Sequence, residues 1–248
     1  MGMTIPTTTG TTTTVTTTST RMTMGTITGM TTAMATDAQI LTLVQWLSPA
    51  YPVGAFAYSH GLEWAVQEGA VTDAASLRDW LADLLDHGAG RSDAILLAAA
   101  YNAADTAALA QIDATARAFQ PSAERLLETT AQGAAFAQIT AAIWPADLPG
   151  FTYPVALGRA ARLHDLPLVL TARMYLHAFT SNLVSAGIRL IPIGQTEGQT
   201  VLSALTPLCA EVAEAATALT LDDLASTAFL ADIASMNHET QYSRLFRT

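Results

Sequence analysis

The stretch Ser48-Pro-Ala-Tyr-Pro-Val-Gly-Ala-Phe-Ala-Tyr-Ser-His-Gly-Leu-Glu-Trp-Ala65 decides how this chain is read. It holds two prolines, two glycines, four aromatic residues and the pair Ser59-His60. Ala57-Tyr58-Ser59-His60-Gly61 fits a relaxed nucleophile elbow, and later acids with His238 supply the chain order Ser, Asp, His. A serine hydrolase using Ser59 is therefore one reading. The elbow requires a strand before the serine, inside a parallel sheet, and Pro49 and Pro52 exclude a buried central strand there. The other reading is a shaped turn. Its prolines fix backbone angles, Gly54 permits a tight reversal, and Phe56, Tyr58 and Trp64 supply packing surface with polar handles. Glu63 then suits the positive end of a new helix. Such a turn is either a core plug or a docking surface.

Outward from this segment the pattern is helical on both sides. Ile40, Leu41, Val44 and Leu47 keep helical spacing until Pro49. Gly61 to Gly69 resumes it, and Thr72 or Asp73 can cap a helix with Leu77, Trp80, Leu81, Leu84 and Leu85 on one face. Further helices are expected over 92–103, 106–118, 122–143, 153–163, 168–187, 199–219 and 221–236, with breaks at 144–150 and 192–194. Alternating strand patterns are nearly absent. The fold class expected is all-α, a single globular domain of about ten helices spanning 37–236, followed by an arm over 237–248.

Residues 1–36 differ in kind. Eighteen of them are Thr and only Arg21 is charged, so this tail cannot bury enough apolar area to offset its ordering entropy and is expected to be disordered. It lacks the charged start and apolar centre of a signal peptide, and several Met codons inside it, Met34 last, are alternative starts.

The 248 residues carry 11 basic and 21 acidic groups, a net charge of −10, and every basic residue is Arg. That balance argues against a nucleic-acid partner. Half the chain is apolar, yet no run approaches the length of a membrane-spanning helix. The single cysteine, Cys209, lies in an apolar helical setting and excludes disulfide frameworks and multi-cysteine zinc sites. A soluble protein of the cytoplasm is expected.

The five histidines, His60, His87, His164, His177 and His238, form no metal-ligand spacing, so no metal site and no resident cofactor are expected. Gly194-Gln-Thr-Glu-Gly198 lacks the Lys-Ser/Thr of a phosphate-binding loop. The segment Gly187 to Gln199, with Arg189, Gln195 and Gln199 around a proline turn, is either a plain helix corner or a ligand or partner contact. The C-terminal run from Asn237 carries Tyr242, Arg244, Leu245, Phe246 and Arg247, the composition of an interface hot spot that could gain order on binding.

Three segments together resemble the urease accessory protein UreF family: SPAYPVGAFAYSHGLEWA, then TYPVALGRAARLHDLP with SAGIRLIPIGQTEGQTVL, then MNHETQYSRLFRT. The resemblance runs from Leu41 to Arg247. It implies an all-helical, non-enzymatic chaperone that dimerises and binds a second accessory protein, UreD (also called UreH). That platform recruits the GTPase UreG and apo-urease, and the assembly inserts nickel into urease, coupled to GTP hydrolysis. UreF members are thought to control GTP hydrolysis by UreG, and a tunnel through the complex is the proposed nickel path. The resemblance assigns partner binding to Tyr58, Ser59, Glu63, Arg189, Gln195, Gln199, His238, Glu239, Tyr242, Arg244, Leu245, Phe246 and Arg247, the last group as an arm that orders against UreD. His60 stands where the family often has Gln, and Glu197 where Asp is common.

Overall fold

The first helix starts on Thr36, whose hydroxyl oxygen accepts from the Gln39 N–H while Gln39 Oε1 accepts from the Thr36 N–H. This reciprocal cap satisfies two otherwise orphaned donors. A computed structural model describes residues 1, 2, 10, 34–144 and 146–247. The expected disorder of the Thr-rich tail falls almost wholly outside them, and Thr36 itself belongs to the helix cap.

Ten α-helices and two 3₁₀ turns follow, with no strand among the described residues. They are α1 (Asp37–Trp46), α2 (Leu62–Gln67), α3 (Ala74–His87), α4 (Ala89–Asn102), α5 (Thr106–Ala118), α6 (Ala123–Ile143), α7 (Tyr153–Leu163), α8 (Leu168–Leu190), α9 (Gln195–Ala216) and α10 (Phe229–His238). The all-α reading stands. Residues 35–248 form one compact unit that takes in the C-terminal segment. No helix among the described residues is long and apolar enough to cross a membrane.

Caps decide most boundaries. Asp73 accepts from the Ser76 N–H at 2.8 Å and starts α3, and Ser122 accepts from the Arg125 N–H at 3.1 Å and starts α6. The helix expected from Gln199 begins a turn earlier, because the Glu197 carboxylate reaches back to the Gly194 N–H at 2.8 Å. The helix expected over 221–236 is not continuous. Leu221–Asp223 is a 3₁₀ turn, and α10 begins only at Phe229. Between them the polar backbone is taken up elsewhere: Arg91 donates to the Asp223 carbonyl at 2.9 Å, and the Thr227 N–H donates to the His87 carbonyl at 2.9 Å. Those bonds tie the segment to the α3–α4 corner and replace the helical ladder.

Helix α4 is the centre of the core, buried at Ala94, Ile95, Leu96, Leu97, Ala98 and Ala100. It packs closely on α7 because Gly158 has no side chain; a Cβ there would lie 2.3 Å from the Leu97 carbonyl oxygen.

The quoted segment runs across one end of this core. Its chain turns at His60 (φ 56°) and Gly61 (φ 76°), both in the left-handed region. Gly61 is required twice over: its φ is costly for other residues, and a Cβ would sit 2.6 Å from the Ser235 backbone nitrogen on α10. The first turn of α2 is thereby pressed against the last turns of α10.

Candidate functional site

Glu63 lies in the first turn of α2, as expected, but its carboxylate does more than face a helix dipole. Oε1 accepts from the Leu245 N–H at 2.6 Å and Oε2 from the Phe246 N–H at 2.8 Å. His238, fully buried at the end of α10, sets Nε2 3.2 Å from Glu63 Oε2 and Nδ1 2.7 Å from Glu124 Oε2. Both ring nitrogens thus face carboxylate oxygens. Arg244 pairs with the other Glu124 oxygen at 2.6 Å. Two carboxylates, one His and one Arg thus bind the C-terminal segment to α2 and α6.

Further contacts extend the attachment. The Arg247 N–H donates to the Ala57 carbonyl at 2.8 Å. Gln241 donates to Gln67 Oε1 at 2.9 Å, and Glu239 accepts from the Ala123 N–H at 2.8 Å, adding an acidic cap to α6. The Arg189 guanidinium carbon lies over two rings, 4.2 Å from the Phe56 centroid and 4.3 Å from that of Phe246, and Arg189 donates to the Phe56 carbonyl at 3.2 Å.

Beside this end of the molecule lies a cavity of about 710 Å³ whose wall includes Phe56, His60, Asp93, Arg125, Glu128 and Tyr175. These polar groups are buried and mutually paired. Arg125 forms an ion pair with Glu128, His60 Nε2 lies 2.8 Å from Glu128 Oε1, Gln132 donates to the same oxygen at 2.9 Å, and Tyr175 donates to Asp93 at 2.7 Å. Burial pushes the Glu128 carboxyl up, but the Arg125 charge and His60 outweigh it and hold it at about 2. Asp93 moves the other way, raised by burial despite Arg125. Burial and the Arg125 charge lower the His60 pKa and favour its neutral form. Nε2 of the ring lies between the Glu128 carboxylate at 2.8 Å and the Arg125 guanidinium at 2.9 Å, and Nδ1 is buried without a hydrogen-bond partner.

The thirteen residues assigned to partner binding separate into two sets. Tyr58, Ser59, Glu63, His238 and Phe246 are buried within the chain's own fold. Arg189, Gln195, Gln199, Glu239, Tyr242, Arg244, Leu245 and Arg247 are at the surface. The structure joins Glu63, Arg189, His238, Arg244, Leu245, Phe246 and Arg247 into one assembly with the quoted loop. Gln195 and Gln199 stand at the start of α9, and among the described residues no hydrogen bond or ion pair ties them to the arm.

Ser59 is fully buried, and its hydroxyl oxygen accepts the Glu63 N–H at 3.3 Å. With no strand before it and His238 committed to Glu63 and Glu124, the elbow has neither scaffold nor base, and the serine-hydrolase reading falls.

Two features were missed by reading the sequence. One is the buried set Asp93, Arg125, Glu128 and Gln132; its signal was the i, i+3 and i, i+4 spacing of Arg125, Glu128 and Gln132 on one helix. The other is an apolar stripe of Phe229, Leu230, Ile233 and Met236 on the outer side of α10, between 48 and 70% exposed. The sequence predicts a helix over 221–236 and says nothing of which face it exposes.

An all-helical chain whose serine is buried, and whose acids serve as internal ties, is a scaffold that presents surface. The UreF family model matches residues 71–206. The urease accessory protein UreF of Ruegeria pomeroyi is 58% identical over 216 residues, covering 87% of this chain and 100% of the relative. That of Ruegeria sp. strain TM1040 is 62% identical over 213 residues, covering 86 and 100%. That of Rhodopseudomonas palustris is 51% identical over 224 residues, covering 86 and 92%. The chain belongs to the UreF family, whose members are accessory proteins of the chaperone type and not catalysts.

Proposed function

We propose that this chain acts in urease maturation by docking UreD (UreH), and that the complex recruits the GTPase UreG and apo-urease and regulates GTP hydrolysis during nickel insertion. Nickel is the cargo, the working unit carries two copies of this chain, and the setting is the cytoplasm. One observation carries the reading. The outer side of α10, with Phe229, Leu230, Ile233 and Met236 exposed, leads directly into the arm, where Tyr242 is fully exposed and Leu245 more than half so. Clustered exposed aromatic and aliphatic side chains are the mark of a binding face, and Tyr with flanking Arg is the common hot-spot chemistry. The resemblance of MNHETQYSRLFRT to the family's UreD-binding arm names the occupant.

The test is to mix the full chain with UreD and UreG, with and without GTP and nickel, and to measure mass by light scattering after size-exclusion chromatography. A complex holding two copies of this chain is expected. A monomer that ignores UreD would overturn the reading.

A further inference from the structure

We infer that Glu63 is the positioning residue of the C-terminal arm, setting the register in which Tyr242 and Leu245 face a partner. The inference rests on the docking role proposed for that arm. Along an extended chain successive side chains alternate, and N–H groups point to opposite edges. Here the N–H groups of Leu245 and Phe246 both turn to one carboxylate, at 2.6 and 2.8 Å, and the chain bends at those two residues. The bend has a sided consequence. Phe246 goes inward, 4% exposed, onto the face of Arg189, and Leu245 goes outward, 57% exposed. A slip of one residue would exchange them, placing Leu245 against the guanidinium and Phe246 in water.

Glu63 is itself covered by the arm and by His238. A partner therefore meets the arm and not this carboxylate, which acts through the residues it holds. Bonds from N–H groups to a charged carboxylate are among the stronger hydrogen bonds. Nothing else among the contacts found for the arm sets both of these backbone donors: Arg244 and Gln241 bind through side chains, and Arg247 through one N–H beyond the bend.

The experiment uses the full-length chain and Glu63→Gln, with hydrogen–deuterium exchange over residues 239–248, circular dichroism for helix content, and titration with UreD. Expected are arm amides exchanging roughly ten- to hundredfold faster, helix content retained, and UreD affinity lowered about tenfold or more. In a chain ending at Ser243 the same substitution should leave UreD affinity unchanged, which a purely structural role would not predict. Unchanged arm exchange in Glu63→Gln would overturn the inference. Faster exchange with undiminished UreD binding would uphold the clamp and remove the docking role beneath it. Should Glu63→Gln fail to fold, Leu245→Pro deletes one of the two donors from the arm side and must release the arm in the same way; retained protection of Phe246 there would overturn the inference.

Discussion

Arg189 holds its guanidinium carbon 4.3 Å from the centroid of Phe246, and the same carbon lies 4.2 Å from that of Phe56. One cation thus joins the end of α8, the loop after Gly54 and the C-terminal arm. Arg189→Ala should lower stability by about 1–2 kcal/mol, two partly exposed stacks at once. Arg189→Lys should recover less than half of that, since a compact, strongly hydrated ammonium lacks the guanidinium's flat surface for aromatic rings. Urea denaturation of the two variants beside the parent checks both. Equal stability of the lysine variant and the parent would refute the stacking argument.

Glu128 and His60 set the acid response. Glu128 is ionised in the fold down to about 2, against an ordinary value of 4.5, so its stabilising share is complete above pH 4.5 and is lost as pH falls from there toward 2. His60 is held neutral by burial and by Arg125, so the fold also loses stability as pH falls below 6.5, where the unfolded chain takes up a proton. Asp93, raised by burial, acts oppositely and favours the fold at low pH. In a plot of stability against pH, Glu128→Gln should flatten the segment below 4.5, a loss on the order of 3 kcal/mol in the parent. His60→Gln, which keeps a donor for Glu128, should flatten the segment that begins at 6.5 and runs downward. Parallel curves for parent and variants would contradict these assignments.

Gly158→Ala should destabilise the fold by about 2–3 kcal/mol, because the new methyl group meets the Leu97 carbonyl oxygen at 2.3 Å and both helices are fixed by their other contacts. The midpoint of urea unfolding would report it. A shift smaller than that of an average surface substitution would show that α4 and α7 can move apart freely.

Phe229→Ser with Leu230→Ser should change folding stability by less than about 1 kcal/mol, since both side chains are already mostly in water. The same pair should weaken UreD binding by about 2 kcal/mol or more. Calorimetric titration against UreD beside a thermal melt separates the effects. Full affinity would place the docking face elsewhere.

Much of the architecture was legible because one period ran through it. The Leu77, Leu81, Leu84 and Leu85 stripe, the caps at Asp73 and Ser122, and the stop before Pro49 all act within a turn or two of chain. The break after Leu221 was not legible: Leu221 and Leu224 continue a helical pattern, and what ends the helix is a set of bonds to Arg91 and His87 from far along the sequence. The site fared the same way. Glu63 could be read as a helix-start acid, but its two backbone donors lie 182 and 183 residues away. Arg125, Glu128 and Asp93 escaped notice because a periodic reading assigns charged positions to solvent, and here each charge is buried by the others. Phe229 and Leu230 went the opposite way, apolar positions that the fold leaves outside.

The approach of Gly61 to Ser235, where no side chain could be accommodated, gives the molecule a clasp whose two halves are made at opposite times. Synthesis delivers the loop and Glu63 early and the tongue that fills them about 180 residues later. A chain cut short before Leu245 leaves Glu63 without both of its backbone donors and Arg189 without its outer ring. The assembled face therefore depends on residues 245–247: a partner that grips it meets only chains that carry this segment.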